Sequence, residues 1–403
     1  MTETRIKSEN MRTLAIHAGE EPDKTTHASA PNIVMSTTFL ADADASFSAE
    51  DFGDDTPFFY SRWGNPTVTQ LEDKLAALEG AEAGIAFASG MAAVTALFLH
   101  TLKAGDHLII SDISYAATAE LSHNLLPNLG IEVTRVDLSN IENLRGKIKD
   151  NTRLIYAENP ANPILRLTDI EAVATISYER NIPFAVDATF ATPVAVRPLS
   201  LGADYVIHSL TKYLGGHGDA IGGAVLGKKS DIALIRKNIA IRTGGIISPF
   251  NAWLIMRGLA TLPIRMKAHE EGAFIVARFL EEHSKIKRVI YPGLPSHPQH
   301  DLAVRQMKNF SGMITFQVDD GQTCAKIFSK HLKIIHYAVS LGHHRSLIFY
   351  LPTQELLRTS FWLDDEQKRS FEEYAGDGIF RLSVGLEEPE DLCKDLDNAL
   401  SLL

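Results

Sequence analysis

The chain has 403 residues, more than one compact hydrophobic core usually holds, so its length predicts two domains of unequal or similar size. Its 39 Lys and Arg residues stand against 50 Asp and Glu residues, and the formal net charge of -11, without a basic stripe, argues against a nucleic-acid partner. The two cysteines, Cys324 and Cys393, lack metal-ligand spacing, which indicates a reducing compartment and no disulfide framework.

The composition also bears on location. The N-terminal residues include no apolar signal region, and no uncharged apolar run approaches the roughly 18 residues that a membrane span needs. We therefore expect a cytoplasmic protein without a membrane partner. The histidines are scattered without a ligand pattern, so we expect no metal site.

Residues 1–60 are predicted to form an extended arm that contacts a neighbouring subunit. The arm leads into an aromatic cluster that contains Tyr60, Arg62 and Trp63. An exposed linker would not normally carry so many aromatic residues, so we expect a binding surface, in which Arg62 can contact a phosphate through two parallel hydrogen bonds. The alternative is an arginine that only packs its stem over Trp63.

From Thr67 onward, helical and strand patterns alternate. A helix ending at Gly80 is followed by a strand at 83–88 and by a helix for which Ser89 is the N-cap. The alternation predicts an α/β domain over 61–258 with a mainly parallel sheet, and the remainder, 259–403, is predicted to be a smaller α+β domain. The other predicted strands are 107–110, 131–136, 152–157, 182–186, 205–207, 313–318 and 347–351, and further helices are predicted at 118–126, 322–331 and 388–402.

The stretch 204–219 carries the strongest chemical signal. A short apolar strand is followed by the hydroxyls of Ser209 and Thr211, then by Lys212 and several glycines. Desolvation lowers the pKa of a lysine towards that of a nucleophilic amine, and hydroxyls with glycine amides suit a phosphate group. Together they predict a Schiff base between Lys212 and a phosphorylated aldehyde, pyridoxal 5'-phosphate. The alternative is a solvated surface lysine.

Other predicted strand ends should lie near this lysine, because ligands of parallel sheets bind at the carboxyl ends of the strands. Gly90 and Met91 begin a helix whose free amides suit phosphate, and Tyr115 follows another strand. Asp187 either caps a turn or keeps the ring nitrogen of pyridoxal protonated. Arg381, on a short apolar strand, needs a partner that a substrate carboxylate would supply.

Several motifs then occur in order along nearly the whole chain. They are Tyr60-Ser-Arg-Trp-Gly-Asn-Pro-Thr67, Ser89-Gly-Met-Ala-Ala93, Glu158-Asn-Pro-Ala-Asn-Pro163, Asp187-Ala-Thr-Phe-Ala-Thr-Pro193, His208-Ser-Leu-Thr-Lys-Tyr213, Ser340-Leu-Gly342 and Arg381-Leu-Ser-Val-Gly385. In these motifs the chain resembles the Cys/Met-metabolism enzymes that use pyridoxal phosphate, such as cystathionine γ-lyase, cystathionine γ-synthase, cystathionine β-lyase and methionine γ-lyase. The resemblance implies a type I pyridoxal-phosphate fold.

The resemblance also implies roles for the cofactor-binding residues. Lys212 would hold the cofactor covalently and later carry protons. Tyr115 would stack on the cofactor ring and assist acid–base transfer, while Asp187 would pair with the ring nitrogen. Contacts with the phosphate are implied for Gly90, Met91, Ser209 and Thr211.

Substrate and subunit contacts are implied in the same way. Arg381 would bind the substrate carboxylate, with Asn162 and Ser340 supporting it. Tyr60 and Arg62 would reach the phosphate held by a neighbouring subunit. The implied assembly is a dimer with shared active sites, paired into a homotetramer.

The implied activity is a carbon–sulfur lyase reaction, the γ-elimination of a methionine-type or cystathionine-type amino acid to a 2-oxo acid, ammonia and a thiol. Alternatives are γ-replacement by a cystathionine γ-synthase or homoserine-ester sulfhydrylase, a cystathionine β-lyase, and a protein that binds the cofactor without catalysis. Four departures from the family pattern are expected to affect substrate choice, namely Ala117, Ala188, Arg345 and the loop 352–359. Arg345 stands where many cystathionine-handling members carry glutamate, which disfavours a distal ammonium group.

Overall fold

The computed structural model of the protein describes residues 10–23, 25–43, 45, 46, 48 and 57–403. The predicted arm therefore lies partly outside the described residues, at 1–9 and over most of 44–56. A helix that the sequence patterns did not predict, Met11–His17, begins the described chain, and its residues Leu14 and Ala15 are buried in the main hydrophobic core.

The larger sheet has seven strands. They are β1 (Ala83–Phe87), β2 (His107–Ser111), β3 (Glu132–Val136), β4 (Thr152–Glu158), β5 (Phe184–Asp187), β6 (Tyr205–Ser209) and β7 (Gly223–Gly227). Their order is β1-β7-β6-β5-β4-β2-β3, and only β7 runs antiparallel to its neighbours. Both faces are covered by buried side chains. The predicted α/β class with a mainly parallel sheet is confirmed.

The second sheet has five strands. They are β8 (Arg288–Ile290), β9 (Met313–Gln317), β10 (His336–Tyr337), β11 (Leu347–Pro352) and β12 (Gly378–Ser383), in the order β10-β11-β12-β9-β8. All pairings except β10–β11 are antiparallel. This sheet and its helices enclose a separate core that contains Phe316, Phe328 and Phe380. The C-terminal part is thus the smaller α+β unit that the sequence predicts.

Helices connect and cover the strands. The α-helices are Met11–His17, Pro66–Glu79, Gly90–Thr101, Ala116–Glu120, Ile141–Arg145, Ile170–Arg180, Thr192–Ala195, Lys229–Ile235, Ile241–Thr243, Pro249–Ala260, Leu262–Glu282, His300–Gln306, Gly321–His331, Thr353–Thr359, Asp365–Ala375 and Pro389–Leu400. Wider π-turns occupy Leu121–Leu125 and Arg236–Ala240, and 3-10 turns occupy Pro127–Leu129 and Pro198–Leu201. Among the described residues no helix is both long and apolar enough to span a membrane, and no cluster could hold a metal ion.

The segment 352–359 differs from its prediction. It is not a loop, because Thr353–Thr359 forms a helix directly after β11. Pro352 has extended backbone angles and precedes the first turn, and Glu355 lies in that turn, where a negative charge favours a helix start. Leucine and glutamate within the segment are strong helix formers, so local propensity explains the difference.

Lys74 attaches the N-terminal helix to the large domain. Its side chain is fully buried, and its Nζ donates to the carbonyl oxygens of Ala15 at 2.7 Å and Ile16 at 3.2 Å. The same nitrogen lies 2.5 Å from a carboxylate oxygen of Glu20. Burial lowers the pKa of Lys74, and the hydrogen bond to Glu20 opposes that shift.

We expect Lys74→Met to lower the free energy of unfolding by about 1–3 kcal/mol, because the methionine keeps the buried stem but leaves two carbonyls without their donor. Urea titration of the variant beside wild type measures this difference. Lys147→Met is the matched control, since Lys147 is exposed. Equal stability of the two variants would show that the Lys74 contacts do not hold the helix.

Candidate active site

The site lies where three neighbouring strands end. In the parallel register, Glu158 of β4 pairs with Asp187 of β5, and Asp187 pairs with Ile207 of β6, two residues before Ser209. A cavity of about 570 Å³ opens at this edge of the sheet, between the two domains. All the predicted site residues except Tyr60 and Arg62 line it, namely Gly90, Met91, Tyr115, Asn162, Asp187, Ser209, Thr211, Lys212, Ser340 and Arg381.

Lys212 lies just beyond the end of β6, in a turn where its amide donates to the carbonyl of Ser209 at 3.2 Å. Its Nζ lies 3.1 Å from Ser340 Oγ. Burial, followed by the nearby positive charge of Arg381, lowers the pKa of Lys212 from 10.5 to about 8. The amine is therefore unprotonated in a useful fraction of molecules near neutral pH, as a nucleophile or base requires.

Asp187 is held at the end of β5 with only 8% of its surface exposed. One carboxylate oxygen accepts hydrogen bonds from the amide of Thr189 at 3.0 Å and from its hydroxyl at 2.5 Å. The other oxygen accepts from the Tyr156 hydroxyl at 3.3 Å. Burial raises the pKa of Asp187, whereas the Thr189 hydrogen bonds and the charge of His208 oppose the rise.

The helix that begins at Gly90 offers a site that suits a phosphate. The Ser89 side chain caps this helix by accepting from the amide of Ala92 at 3.1 Å. A Cβ on Gly90 would lie 3.0 Å from the Cβ of Ser209, so glycine lets the helix start approach the end of β6. The first amides of a helix lack intrahelical partners and carry positive partial charge, which suits a phosphate.

Arg381 forms the opposite wall. It donates to Asn162 Oδ1 at 2.9 Å and to the Ser340 carbonyl at 3.3 Å. Both partners are uncharged, and the described residues place no carboxylate within ion-pair distance of this guanidinium. Burial lowers its pKa, although a guanidinium stays protonated at any working pH. An anionic group entering the cavity would complete its coordination.

Glu158 belongs to the site, yet the sequence patterns assigned it no role. It is 4% exposed, and it accepts from the amide of Tyr115 at 2.6 Å and from the amide of Asn162 at 2.8 Å. Burial, and then the charge of Asp187, raise its pKa well above the ordinary value. The available signal was position, because Glu158 ends a buried strand as Asp187 does.

Tyr60 and Arg62 lie away from the cavity of their own chain. The Arg62 guanidinium donates to the carbonyl of Ile241, and its central carbon lies 5.4 Å from the centroid of the Tyr60 ring. Arg62 therefore covers the ring of Tyr60. Their implied role at a neighbouring subunit's phosphate stays a prediction.

The four departures from the family pattern do not all contribute to the cavity. Ala117 and Arg345 are absent from its lining, and Arg345 is exposed to solvent. Ala188 is completely buried in the main core. Only the segment 352–359 supplies a lining residue, Leu356. Within this chain, Ala117, Ala188 and Arg345 do not line the cavity, and their effect on substrate choice stays a prediction.

These features fit pyridoxal phosphate. The cavity offers an amine of lowered pKa, a buried carboxylate on the adjacent strand and a capped helix start packed against Ser209. Arg381 adds a fixed positive charge to the wall of the cavity. The fold and the site together are typical of pyridoxal-phosphate-dependent enzymes, whose ligands bind at the carboxyl edge of a mainly parallel sheet.

The family is shown by comparison with known proteins. The family described as Cys/Met metabolism PLP-dependent enzyme matches residues 12–401, so the chain belongs to it. Canavanine gamma-lyase of Pseudomonas canavaninivorans is 42% identical over 398 residues, 98% of this chain and 97% of that protein. L-methionine gamma-lyase of Fusobacterium nucleatum subsp. nucleatum is 41% identical over 403 residues, 98% of this chain and 99% of that protein.

Two further comparisons support the same family. Cystathionine gamma-lyase of Bacillus subtilis is 39% identical over 389 residues, 96% of this chain and 98% of that protein. The crystal structure of metB from Corynebacterium glutamicum superposes with a TM-score of 0.88 at 39% identity, covering 98% of each chain. The predicted fold class, family and cofactor are confirmed.

Proposed function

We propose that this protein is a carbon–sulfur lyase that catalyses γ-elimination on a sulfur amino acid, releasing a 2-oxo acid, ammonia and a thiol. The observation that carries the proposal is the arrangement of Lys212, Tyr115 and Arg381 around one cavity. It combines a base of lowered pKa, a phenol and an anchor for a carboxylate. The relatives named canavanine, methionine and cystathionine gamma-lyase support γ-elimination over γ-replacement.

The anchor determines how an amino acid would enter. Arg381 is oriented by the Asn162 amide oxygen and the Ser340 carbonyl, so its remaining N–H groups can bind an α-carboxylate. A carboxylate held there would place the α-carbon near Lys212, because Ser340 contacts both side chains. Glu158 supports this arrangement by holding the backbone amides of Tyr115 and Asn162.

Many residues of the cavity lining are apolar. They include Ile221, Val339, Leu341, Phe349, Leu351, Leu356 and Phe361. A thioether side chain loses little by leaving water here, whereas a distal ammonium or carboxylate would lose its hydration without a partner. We therefore favour a methionine-type substrate over cystathionine.

Pyridoxal phosphate, when bound, supplies the electron sink that stabilises negative charge on the substrate carbons. Lys212 removes the proton from the α-carbon, since its amine is the base placed beside the Ser340 hydroxyl. Tyr115 donates a proton to the departing sulfur. Asp187 contributes a buried negative charge for the protonated ring nitrogen, and Thr189 keeps that carboxylate in place.

Subunit sharing and location complete the proposal. Tyr60 and Arg62 lie outside their own cavity, where the N-terminal arm, 1–60, joins the large domain. We propose that they reach the cofactor phosphate of a neighbouring subunit in a homotetramer built from two active-site-sharing dimers. We also propose domains 61–258 and 259–403 and a cytoplasmic location.

A substrate panel tests the reaction. We expect methionine to give 2-oxobutyrate, ammonia and methanethiol without an added nucleophile, with kcat/KM about 10-fold above that for cystathionine. Canavanine should be included, because one relative is named for it. Products are identified by mass spectrometry, and thiol release is measured with a chromogenic disulfide.

Each alternative has its own outcome in this panel. Turnover only after a thiol is added to an activated homoserine indicates γ-replacement, and release of pyruvate from cystathionine indicates β-elimination. A protein that binds the cofactor yet converts none of these amino acids contradicts the lyase proposal.

Leu356→Lys supplies a matched variant, since a cation on the apolar wall should weaken methionine turnover while leaving cofactor binding intact.

A further inference from the structure

A chain of hydrogen bonds connects Lys212 to a histidine outside the cavity. Lys212 Nζ lies 3.1 Å from Ser340 Oγ, and the same oxygen lies 3.2 Å from His343 Nε2. His343 does not line the cavity and does not contact Lys212 at hydrogen-bond distance. The hydrogen-bonded connection between this imidazole and the base therefore runs through the serine hydroxyl.

Close packing holds the imidazole in place. Gly218 has a φ of +72°, and a Cβ there would lie 2.7 Å from His343 Nδ1 and Cε1. Gly342 has a φ of +72°, and its Cβ would lie 2.5 Å from the amide nitrogen of Tyr213. Ser340 itself has a φ of 92°, which is unfavourable for a residue with a Cβ. Ser340 therefore holds an unfavourable backbone conformation in a closely packed segment, a combination that often occurs at functional sites.

The Ser340 hydroxyl has one proton to donate, and the partner that receives this hydrogen bond decides whether the lone pair of Lys212 is free. A free lysine amine has two N–H bonds and one lone pair. If Ser340 donates its proton to His343 Nε2, its oxygen accepts an N–H from Lys212, and the lysine lone pair remains free. If the hydroxyl instead donates to Lys212, that lone pair is occupied and cannot accept a substrate proton.

The charges around His343 favour the first arrangement. Burial lowers the pKa of His343, and Lys212 and His344 lower it further, while Asp219 opposes them. Arg381, which donates to the Ser340 carbonyl, adds positive charge to the same region. A neutral imidazole with its proton on Nδ1 leaves Nε2 as an acceptor for the hydroxyl.

We propose that His343 is a positioning residue for Lys212. By accepting a hydrogen bond from the Ser340 hydroxyl, it keeps the lone pair of the lysine amine directed towards the substrate. The inference rests on the proposed function, in which Lys212 is the base. It assigns a task to a histidine that neither the sequence motifs nor the cavity lining identifies.

The test compares three variants with wild type. In His343→Leu the hydroxyl loses its acceptor and turns to the lysine, so kcat should fall about 10-fold with little change in KM. In His343→Gln the side-chain amide oxygen can replace Nε2, so most of the rate should return. His217→Ala is the matched control, because His217 is an exposed imidazole whose Nδ1 bonds to the Gly215 carbonyl.

A second readout does not depend on turnover. Added pyridoxal phosphate is allowed to react with cofactor-free protein, and the rise of the visible absorption band is followed against pH. A hydroxyl that donates to the amine stabilises its neutral form, so the pH midpoint in His343→Leu should move down by about 0.5 unit. His343→Gln and His217→Ala should keep the wild-type midpoint. A change in overall packing alone would not produce this pattern.

Two results would overturn the inference. One is a His343→Leu variant with the kcat and the pH midpoint of His217→Ala. The other is a His343→Gln variant as impaired as His343→Leu, because the acceptor would then not be what matters. Failure of the proposed function looks different, since wild-type protein itself would then convert none of the tested amino acids while still forming the absorption band.

Discussion

Lys212→Ala is expected to abolish both turnover and the visible absorption band of the bound cofactor. Alanine removes the amine that forms the Schiff base and takes the α-proton, so kcat/KM should fall by roughly 10⁴-fold or more. The turn that carries Lys212 is held by backbone hydrogen bonds, so the fold should survive. Absorption spectra and product assays at saturating pyridoxal phosphate measure the two effects.

The matched control is Lys228→Ala. The Lys228 side chain is 64% exposed and follows β7 in the same domain, so its loss should change neither the band nor the rate. The wild-type amine should also show its low pKa directly. Cofactor reattachment requires the unprotonated amine, so its rate should rise with pH through about 8, not above 10. Turnover retained by Lys212→Ala would exclude Lys212 as the base.

Asp187→Asn is expected to lower kcat by roughly 10²–10³-fold, because the amide keeps the shape of the side chain but removes a buried negative charge. The hydrogen bonds from Thr189 can still reach the amide oxygen, so the local fold should persist. Without the charge, the ring nitrogen of the cofactor would lose its proton more readily, and the ring would withdraw fewer electrons. Steady-state rates and the retention of cofactor during gel filtration measure the effect.

The pH dependence follows from burial. Burial raises the pKa of Asp187 above its ordinary value, so the charged form is lost at a higher pH than for an exposed aspartate as the solution is acidified. Wild-type activity, which depends on this charge, should therefore fall on the acid side of the pH profile. The residual activity of Asp187→Asn should lack this acid-side fall. Asp150→Asn, at an exposed position, is the control. Wild-type rates in Asp187→Asn would remove Asp187 from the mechanism.

Local signals in the sequence account for the fold class and for much of the site. The alternation of apolar strands with helices predicts the parallel sheet, and the residue types at the strand ends predict where a ligand binds. Ser89 as an N-cap and Gly80 as a helix end are read from neighbouring residues alone, and the structure agrees. Lys212, Asp187 and Arg381 were identifiable because their chemistry is unusual for their local surroundings.

The remaining features depend on contacts between distant residues. Glu158 acquires its role from the register of β4 with β5, which brings it beside Asp187 and beneath two backbone amides. The helix Thr353–Thr359 brings Leu356 to the cavity because β11 directs it there. Arg345, which the sequence suggests as a determinant of substrate choice, is turned to solvent.

The sequence by itself therefore determined the fold class, the family resemblance and the residues that could hold the cofactor, since these depend on periodicity and residue type. Only the tertiary structure decided which side chains meet. Ser340 and His343 lie about 130 residues beyond Lys212, and folding places all three in one hydrogen-bonded chain. Such a contact leaves no local pattern, because it is created by the packing of the small domain against the large one.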